Sequence, residues 1–220
     1  MKHGDPFAEY AVARKRMVAD QLLSRGIQSA EVLRAMERIP RHPFVEEGLR
    51  PMAYNDHPLA IGARQTISQP YIVARMLEAL ALKKTDRVLE VGTGCGYQSA
   101  LLAELTRHVY SIERIPDLLF KARRTLKALG FRNISLKLGD GTLGWGTQAP
   151  FEAIIVAAAG PGIPRPYLDQ LADGGRMVLP VGTAERQDLV FVKKSSGKVT
   201  TRRLTGCRFV KLKGEHGFSA

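Results

Sequence analysis

Three glycines, Gly92, Gly94 and Gly96, stand two apart directly behind the apolar run Val88-Leu-Glu-Val91. Residues without a Cβ let the main chain turn sharply, take φ > 0 and approach a bulky ligand, so this junction is built to cradle one. A dinucleotide fingerprint sets its third glycine three residues after the second. Here position 97 is Tyr and the third glycine comes at 96, which disfavours an NAD-type phosphate cradle. Glu113 ends the next apolar run, Val109-Tyr-Ser-Ile112, about twenty positions beyond Glu90. At that separation a carboxylate sits at the tip of the neighbouring strand and accepts both hydroxyls of a ribose. Alone, Glu113 reads as a solvated strand end; the glycine loop beside it favours the ribose. Asp140, in Leu138-Gly-Asp140-Gly141 behind the alternating Ile134, Leu136 and Leu138, is placed to accept from an exocyclic amine such as that of adenine. Its plain alternative is a turn, since Asp-Gly is a common turn pair.

Glu90-x-Gly92-Thr93-Gly94-x-Gly96, Glu113 and Asp140-Gly141 together resemble the S-adenosyl-L-methionine site of the large Rossmann-like methyltransferase class. Residues 54 to 71, with Arg64-Gln-Thr66-Ile67-Ser68-Gln-Pro70, sharpen the resemblance to the protein-L-isoaspartate (D-aspartate) O-methyltransferases. So do Gly92 to Gln98, Ala149 to Ala159, Ile163-Pro164 and Leu168 to Arg176. The match runs from Met17 to Gly217. Three positions depart from the family pattern: Arg64 for a usual Gly, Ala60 for a frequent Pro and Cys95 for a frequent Ser. Arg64 matters most, because a Gly there supplies φ > 0 that Arg adopts only with strain. The resemblance implies that S-adenosyl-L-methionine is the methyl donor and S-adenosyl-L-homocysteine the product. It implies L-isoaspartyl residues of damaged proteins and peptides as acceptors, Ser68 as the active-site residue, and Thr66 and Ile67 alongside the cofactor on its substrate side.

A carboxylate acceptor is ionised at neutral pH, so its methylation needs no strong general base. Positioning must do most of the work, and proximity and orientation can supply about 7 to 11 kcal/mol. The local sequence also allows a structural role for Ser68, as a helix-entry residue before Pro70 and the apolar series Tyr71, Ile72, Val73, Met76, Leu77 and Leu80. Both roles are compatible if a helix beginning near Pro70 turns free N–H groups toward the acceptor, with the Ser68 hydroxyl beside them.

The elements that must position these groups follow from periodicity. From Thr85 onward, strands and helices alternate over 87–91, 97–106, 108–113, 117–129, 134–138, 152–158, 165–172 and 176–181, which predicts a parallel sheet with helices on both faces. The helix after the glycine loop buries Ala100, Leu101, Leu102 and Leu105. Upstream, Asp5-Pro6 opens a helix carrying Phe7, Tyr10, Met17, Val18 and Leu22 and stopped by Gly26. Ser29 caps a second, with Val32, Leu33 and Met36, ended by Pro40. After Gly182 come three strands without helices, at 189–192, 200–204 and 208–212, predicted to pair antiparallel at one sheet edge. The expected fold is thus α/β, a Rossmann-like class I methyltransferase. One domain of 220 residues comprises an N-terminal helical extension and cleft segment (1–82), a cofactor-binding core (83–182) and C-terminal strands (183–220).

The net charge is +12, and eight basic residues without an acidic one lie between Lys193 and Lys213. Such a block suits an RNA-binding face, and equally edge strands guarded against aggregation by Lys and Arg. The second reading is preferred, because base N-methyltransferases carry an Asn/Asp-Pro-Pro-aromatic element where this chain has Ala157-Ala-Ala-Gly-Pro-Gly162. Neither Cys95 nor Cys207 sits in a suitable loop for carbon-directed transfer. A basic rim would instead steer negatively charged damaged polypeptides, an attraction that fades with salt. A non-catalytic binder on the same scaffold is disfavoured by the joint presence of Ser68, Glu90, Glu113, Asp140 and the glycines. Two cysteines give neither metal spacing nor a disulfide framework, so no metal is expected. Without an apolar leader or a membrane-length run, the chain reads as a cytoplasmic monomer that binds neither nucleic acid nor membrane. His57 and Gly214-Glu-His-Gly-Phe218 read as solvated loops near the cleft rather than parts of it.

Overall fold

The computed structural model describes residues 8–219; the expected helix start at Asp5-Pro6-Phe7 lies outside them. Strands β3 (Arg87–Val91), β4 (His108–Glu113) and β6 (Phe151–Val156) carry consecutive buried residues such as Val88, Leu89 and Val91, the pattern of strands covered on both faces. They pair in parallel with each other, with β5 (Ile134–Leu138) and with β7 (Leu171–Gly182), whereas β8 (Gln187–Ser195) and β9 (Lys198–Cys207) add on antiparallel. The seven-stranded order is β5-β4-β3-β6-β7-β8-β9. From β3 the chain crosses first to β4 on one side, and only later does β6 arrive on the other. The order therefore reverses at β3, and the crevice beyond its carboxyl end is where such sheets bind ligands. This is the expected α/β Rossmann-like architecture.

Helices α4 (Tyr97–Leu105) and α5 (Pro116–Ala128) flank β3 and β4, the latter opened by Pro116 at its first position and Asp117 in its first turn. In α4 not one face but nearly the whole helix is buried, because α2 (Ala30–Arg38) of the N-terminal extension packs on its outer side, and Arg38 pairs with Glu104 at 2.9 Å. Ser29 caps α2 as expected, accepting from the Val32 N–H. Helix α1 (Ala11–Arg16) runs on through a π-helical stretch, Met17–Leu22, and a 3₁₀ turn, Leu23–Arg25, and ends at Gly26 in the left-handed region. Between the extension and the sheet lie the hairpin β1 (Leu59–Gly62) and β2 (Gln65–Ile67), then α3 (Pro70–Leu80).

Two expectations need correction. The helix over 165–172 is shorter, α6 (Arg165–Gln170), and the strand expected at 176–181 begins already at Leu171; an irregularity between Phe151 and Ala153 in the β6 register absorbs the Asp173-Gly174-Gly175 segment. Residues 208–212 are not a third antiparallel strand. The Gln187 side chain ends the ladder by bonding both the N–H and the C=O of Phe209. The chain then crosses back to the end of β6, where Ala159 bonds Val210 and Leu212 in a parallel bridge.

Candidate functional site

Beyond the carboxyl ends of β3 and β4 lies a cavity of ≈ 480 Å³, within the range of small-molecule sites. Its floor is Gly92, Thr93, Gly94 and Cys95, one wall is Glu113 to Ile115, and Gly141 closes one side. The β1–β2 hairpin and Ser68 lie across it, and Val210 to Lys213 form the opposite wall. All three loop glycines have φ > 0. Gly96 faces the protein rather than the cavity: a Cβ there would stand 3.2 to 3.3 Å from Leu126 and Ala122, so this glycine lets α5 pack against the start of α4. At Gly141 a Cβ would meet Val91 Cγ1 at 2.5 Å, so the loop after β5 closes down on β3 only without a side chain.

Glu113 is buried yet lines the cavity. Its Oε2 accepts from the Gly94 N–H at 2.9 Å and its Oε1 from the N–H groups of Arg114 and Ile115 at 2.8 and 2.9 Å. The carboxylate thus holds the glycine loop in place and keeps lone pairs for further donors. Glu90 lies behind the loop instead of on the cavity wall. It is fully buried and accepts from Ser99 Oγ, from Ser111 Oγ at 2.6 Å and from Gln98 Nε2 at 3.2 Å. Ser111 in turn meets the Thr93 hydroxyl at 2.6 Å, linking Glu90 to the loop. Burial pushes the Glu90 carboxyl up to about 7, although the hydrogen bonds from Ser111, Ser99 and Gln98 pull the other way.

Asp140 is likewise set back from the cavity that Gly141 lines. It caps the short 3₁₀ turn Gly141–Leu143, accepting from the Thr142 N–H at 2.8 Å and hydroxyl at 2.7 Å, so the turn reading holds. Its other oxygen accepts from the Glu215 N–H at 2.8 Å. Burial works against its charge, but these donors hold Asp140 below the usual carboxylate range. The tail beyond Lys213 is therefore not a free loop. It straps the Asp140 turn and fixes the wall formed by residues 210–213.

Ser68 does not cap α3; Gln69 holds that position without a side-chain cap, and Pro70 opens the helix. The Ser68 side chain is half-buried at the cavity, and its carbonyl accepts from Arg41 Nη2 at 2.7 Å. Thr66 and Ile67 line the same side. Ala63 and Arg64, at φ 49° and 57°, form the two-residue turn of the hairpin, so the Arg keeps the left-handed path expected of a Gly and extends into the cavity lining. His57 is exposed and outside it. Burial pushes the Cys95 thiol up to about 11, so the half-buried side chain stands in the cavity floor as the neutral thiol. No group of three or more His, Cys, Asp or Glu residues suited to a metal occurs among the described residues.

The cavity fits a nucleoside bearing an amino-acid tail. Glu113 offers a carboxylate, the turns at Gly94 and Gly141 bring main chain close, and Ile115 and Leu118 supply apolar surface. Residues 210–213 and Arg41 escaped the sequence reading. The first follow a strand-like pattern whose partner is decided only by Gln187, and the second lies in the charged stretch Glu37-Arg-Ile-Pro-Arg41-His42, where nothing marks one Arg as the buried one.

The fold and site define a Rossmann-like methyltransferase. A model of the protein-L-isoaspartate(D-aspartate) O-methyltransferase family matches residues 13–217. The chain is 53% identical over 206 residues to protein-L-isoaspartate O-methyltransferase 1 of Syntrophobacter fumaroxidans, covering 94% of this chain and 96% of that protein. It is 53% identical over 205 residues to the protein-L-isoaspartate O-methyltransferase of Methanoculleus marisnigri, covering 93% of each. A solved structure of a protein-L-isoaspartate O-methyltransferase superposes with a TM-score of 0.84 at 27% identity, over 93% of this chain and 67% of the other. One from Plasmodium falciparum, in complex with S-adenosyl-L-homocysteine, gives 0.79 at 26% identity over 91% of this chain and 98% of the other. The chain belongs to the protein-L-isoaspartate (D-aspartate) O-methyltransferase family.

Proposed function

We infer that this chain is an S-adenosyl-L-methionine-dependent enzyme that esterifies the free carboxylate of L-isoaspartyl residues in damaged proteins and peptides, initiating their repair. The observation that carries the reading is the convergence of Ser68, Glu113 and the glycine loop on one cavity. When bound, S-adenosyl-L-methionine supplies a methyl group on a cationic sulfur, an electrophile for a carboxylate already ionised at neutral pH. Glu113 would take the ribose hydroxyls, the main chain of Gly92, Thr93 and Gly94 would hold the amino-acid tail, and Gly141 would leave room for the base. Glu90 and Asp140 support from behind, the first by fixing Thr93 through Ser111, the second by fixing the turn that carries Gly141.

Ser68 donates its hydroxyl to the acceptor carboxylate, and the free N–H groups at the start of α3 face the same charge. Thr66 and Ile67 fill the space between acceptor and donor. The hairpin excludes water over both, which desolvates the carboxylate and raises its reactivity. No side chain has to abstract a proton. When the neighbouring amide nitrogen attacks the ester carbonyl and gives up its proton, methanol departs more readily than hydroxide would from the free acid and a succinimide closes; hydrolysis of that ring returns part of the material to ordinary aspartyl linkage.

The test offers radiolabelled methyl donor to paired synthetic peptides that differ only in Asp against isoAsp. Base-labile label in the isoAsp peptide alone is expected; equal label in both, or none, overturns the reading. RNA methylation is not favoured, since Ala157-Ala-Ala-Gly-Pro-Gly162 follows β6 in place of a base-stacking element. We further propose a single-domain cytoplasmic monomer, supported by two free cysteines and by the absence, among the described residues, of any helix long and apolar enough to cross a membrane.

A further inference from the structure

Arg41 is fully buried and belongs to none of the groups assigned above. Its Nε donates to the Ala53 carbonyl at 2.8 Å and its Nη2 to the Ser68 carbonyl at 2.7 Å. Its guanidinium carbon lies 4.9 Å from the centre of the Tyr97 ring, and Tyr97 lines the cavity. Nη1 and the Tyr97 hydroxyl face each other, and neither has any further hydrogen-bond partner. No carboxylate among the described residues forms an ion pair with Arg41. A guanidinium remains charged in proteins, and burying one without a counter-charge is among the most unfavourable arrangements a fold can contain. Carbonyl acceptors satisfy its hydrogen bonds in part but leave its charge uncompensated.

That charge sits one main-chain carbonyl away from the Ser68 side chain. We propose that Arg41 is a specificity-determining residue of this site: the fixed buried cation behind the cavity wall whose field, acting past the Ser68 carbonyl and the Tyr97 ring, selects an ionised acceptor at Ser68. The proposal rests on the function inferred above and adds the group that reads the acceptor's charge. Arg41 also positions Ser68 through the carbonyl, and the two roles are separable. A purely structural anchor affects every ligand of the pocket alike, whereas a charge reader affects only anionic ones.

The experiment measures, by calorimetry on the enzyme saturated with S-adenosyl-L-homocysteine, the Kd of an isoaspartyl peptide and of the same peptide with its free carboxylate converted to the amide. In the native enzyme the acid is expected to bind at least about tenfold tighter than the amide, as a desolvated charge pair would give. Arg41→Met is expected to bring the ratio toward one, and Arg41→Lys to keep most of it. A ratio unchanged in Arg41→Met, with S-adenosyl-L-homocysteine binding intact, overturns the proposal. If Arg41→Met does not fold, the native ratio from low to high salt decides. A buried cation is barely screened, so a persistent ratio supports Arg41, and a collapsing one assigns the selection to Arg64, Lys211 and Lys213 of the cavity lining and overturns it. Absence of methyl transfer to the isoaspartyl peptide by the native enzyme would instead refute the underlying function.

Discussion

At the scale of single residues, the two glutamates separated by about twenty positions do different work. Glu113 carries its carboxylate to the cavity; Glu90 keeps its own behind the loop, with a carboxyl pushed up to about 7. Because the folded value lies above the unfolded one, the neutral form is favoured by folding. Its contribution is fully present below pH 4.5 and is lost as pH rises through about 7. Glu90→Gln should therefore gain on the native protein across that window, by about 3 kcal/mol in total. Urea unfolding at a series of pH values measures this, and a constant gap between the two proteins would contradict it. Ser68→Ala should lower kcat on isoaspartyl peptide by about ten- to hundredfold, the value of one hydrogen bond to a charge, while the Kd for S-adenosyl-L-homocysteine stays put. A changed Kd with unchanged kcat would move Ser68 out of the acceptor site. Sequence spacing put Glu113 at a strand tip, where it lines the cavity, because strand and helix lengths in a βαβ unit are nearly fixed. It could not tell which carboxylates turn inward, since Glu90 is oriented by Ser99 and Ser111, on a helix and a neighbouring strand.

At the scale of elements, the parallel strands and the helices between them were legible because their apolar periodicity is local and Gly92, Gly96, Pro116, Gly130 and Gly139 mark several of their boundaries, whereas the connections were decided by contacts remote in sequence. The path of residues 208–212 depends on Gln187, and the strap at 214–216 on Asp140 and Thr142. A Cβ on Gly214 would stand 2.0 Å from Asp140 Oδ1. Gly214→Ala should lift the strap at a cost of about 1 to 3 kcal/mol and weaken S-adenosyl-L-homocysteine binding through the displaced 210–213 wall. Unaltered affinity in calorimetry would mean that the strap is independent of the pocket. The hairpin turn makes the opposite prediction. Ala63 and Arg64 both occupy the left-handed region, which a two-residue hairpin turn assigns to Asn-Gly. Replacing the pair by Asn and Gly should stabilise the fold by about 1 kcal/mol, a rise of about 2 to 4 °C in Tm. A fall in Tm would show that Arg64 makes interactions worth more than its backbone strain.

At the scale of the whole molecule, the basic block of the C-terminal region divides between two tasks. Lys198, Arg202 and Arg203 lie on β9, the outer strand of the sheet, where charge discourages edge-to-edge pairing. Lys211 and Lys213 leave that edge and line the cavity, facing the hairpin that brings Arg64. A chain of net charge +12 thus concentrates exposed cations at the mouth of its pocket while Arg41 remains inside. Exposed charges are screened over about 8 to 10 Å at moderate ionic strength, and buried ones much less. The two layers should consequently separate on a salt titration. Isoaspartyl peptides flanked by Glu or Asp should show higher kcat/KM than neutral-flanked ones in dilute buffer, and the advantage should shrink steadily as salt rises, because it is a matter of steering. Replacing Lys211 and Lys213 together by Gln should remove most of it without altering the turnover of neutral-flanked peptide at saturation. If acid-flanked and neutral-flanked peptides respond identically to salt, the cations at the mouth serve solubility alone, and charge selection by this enzyme falls to the interior.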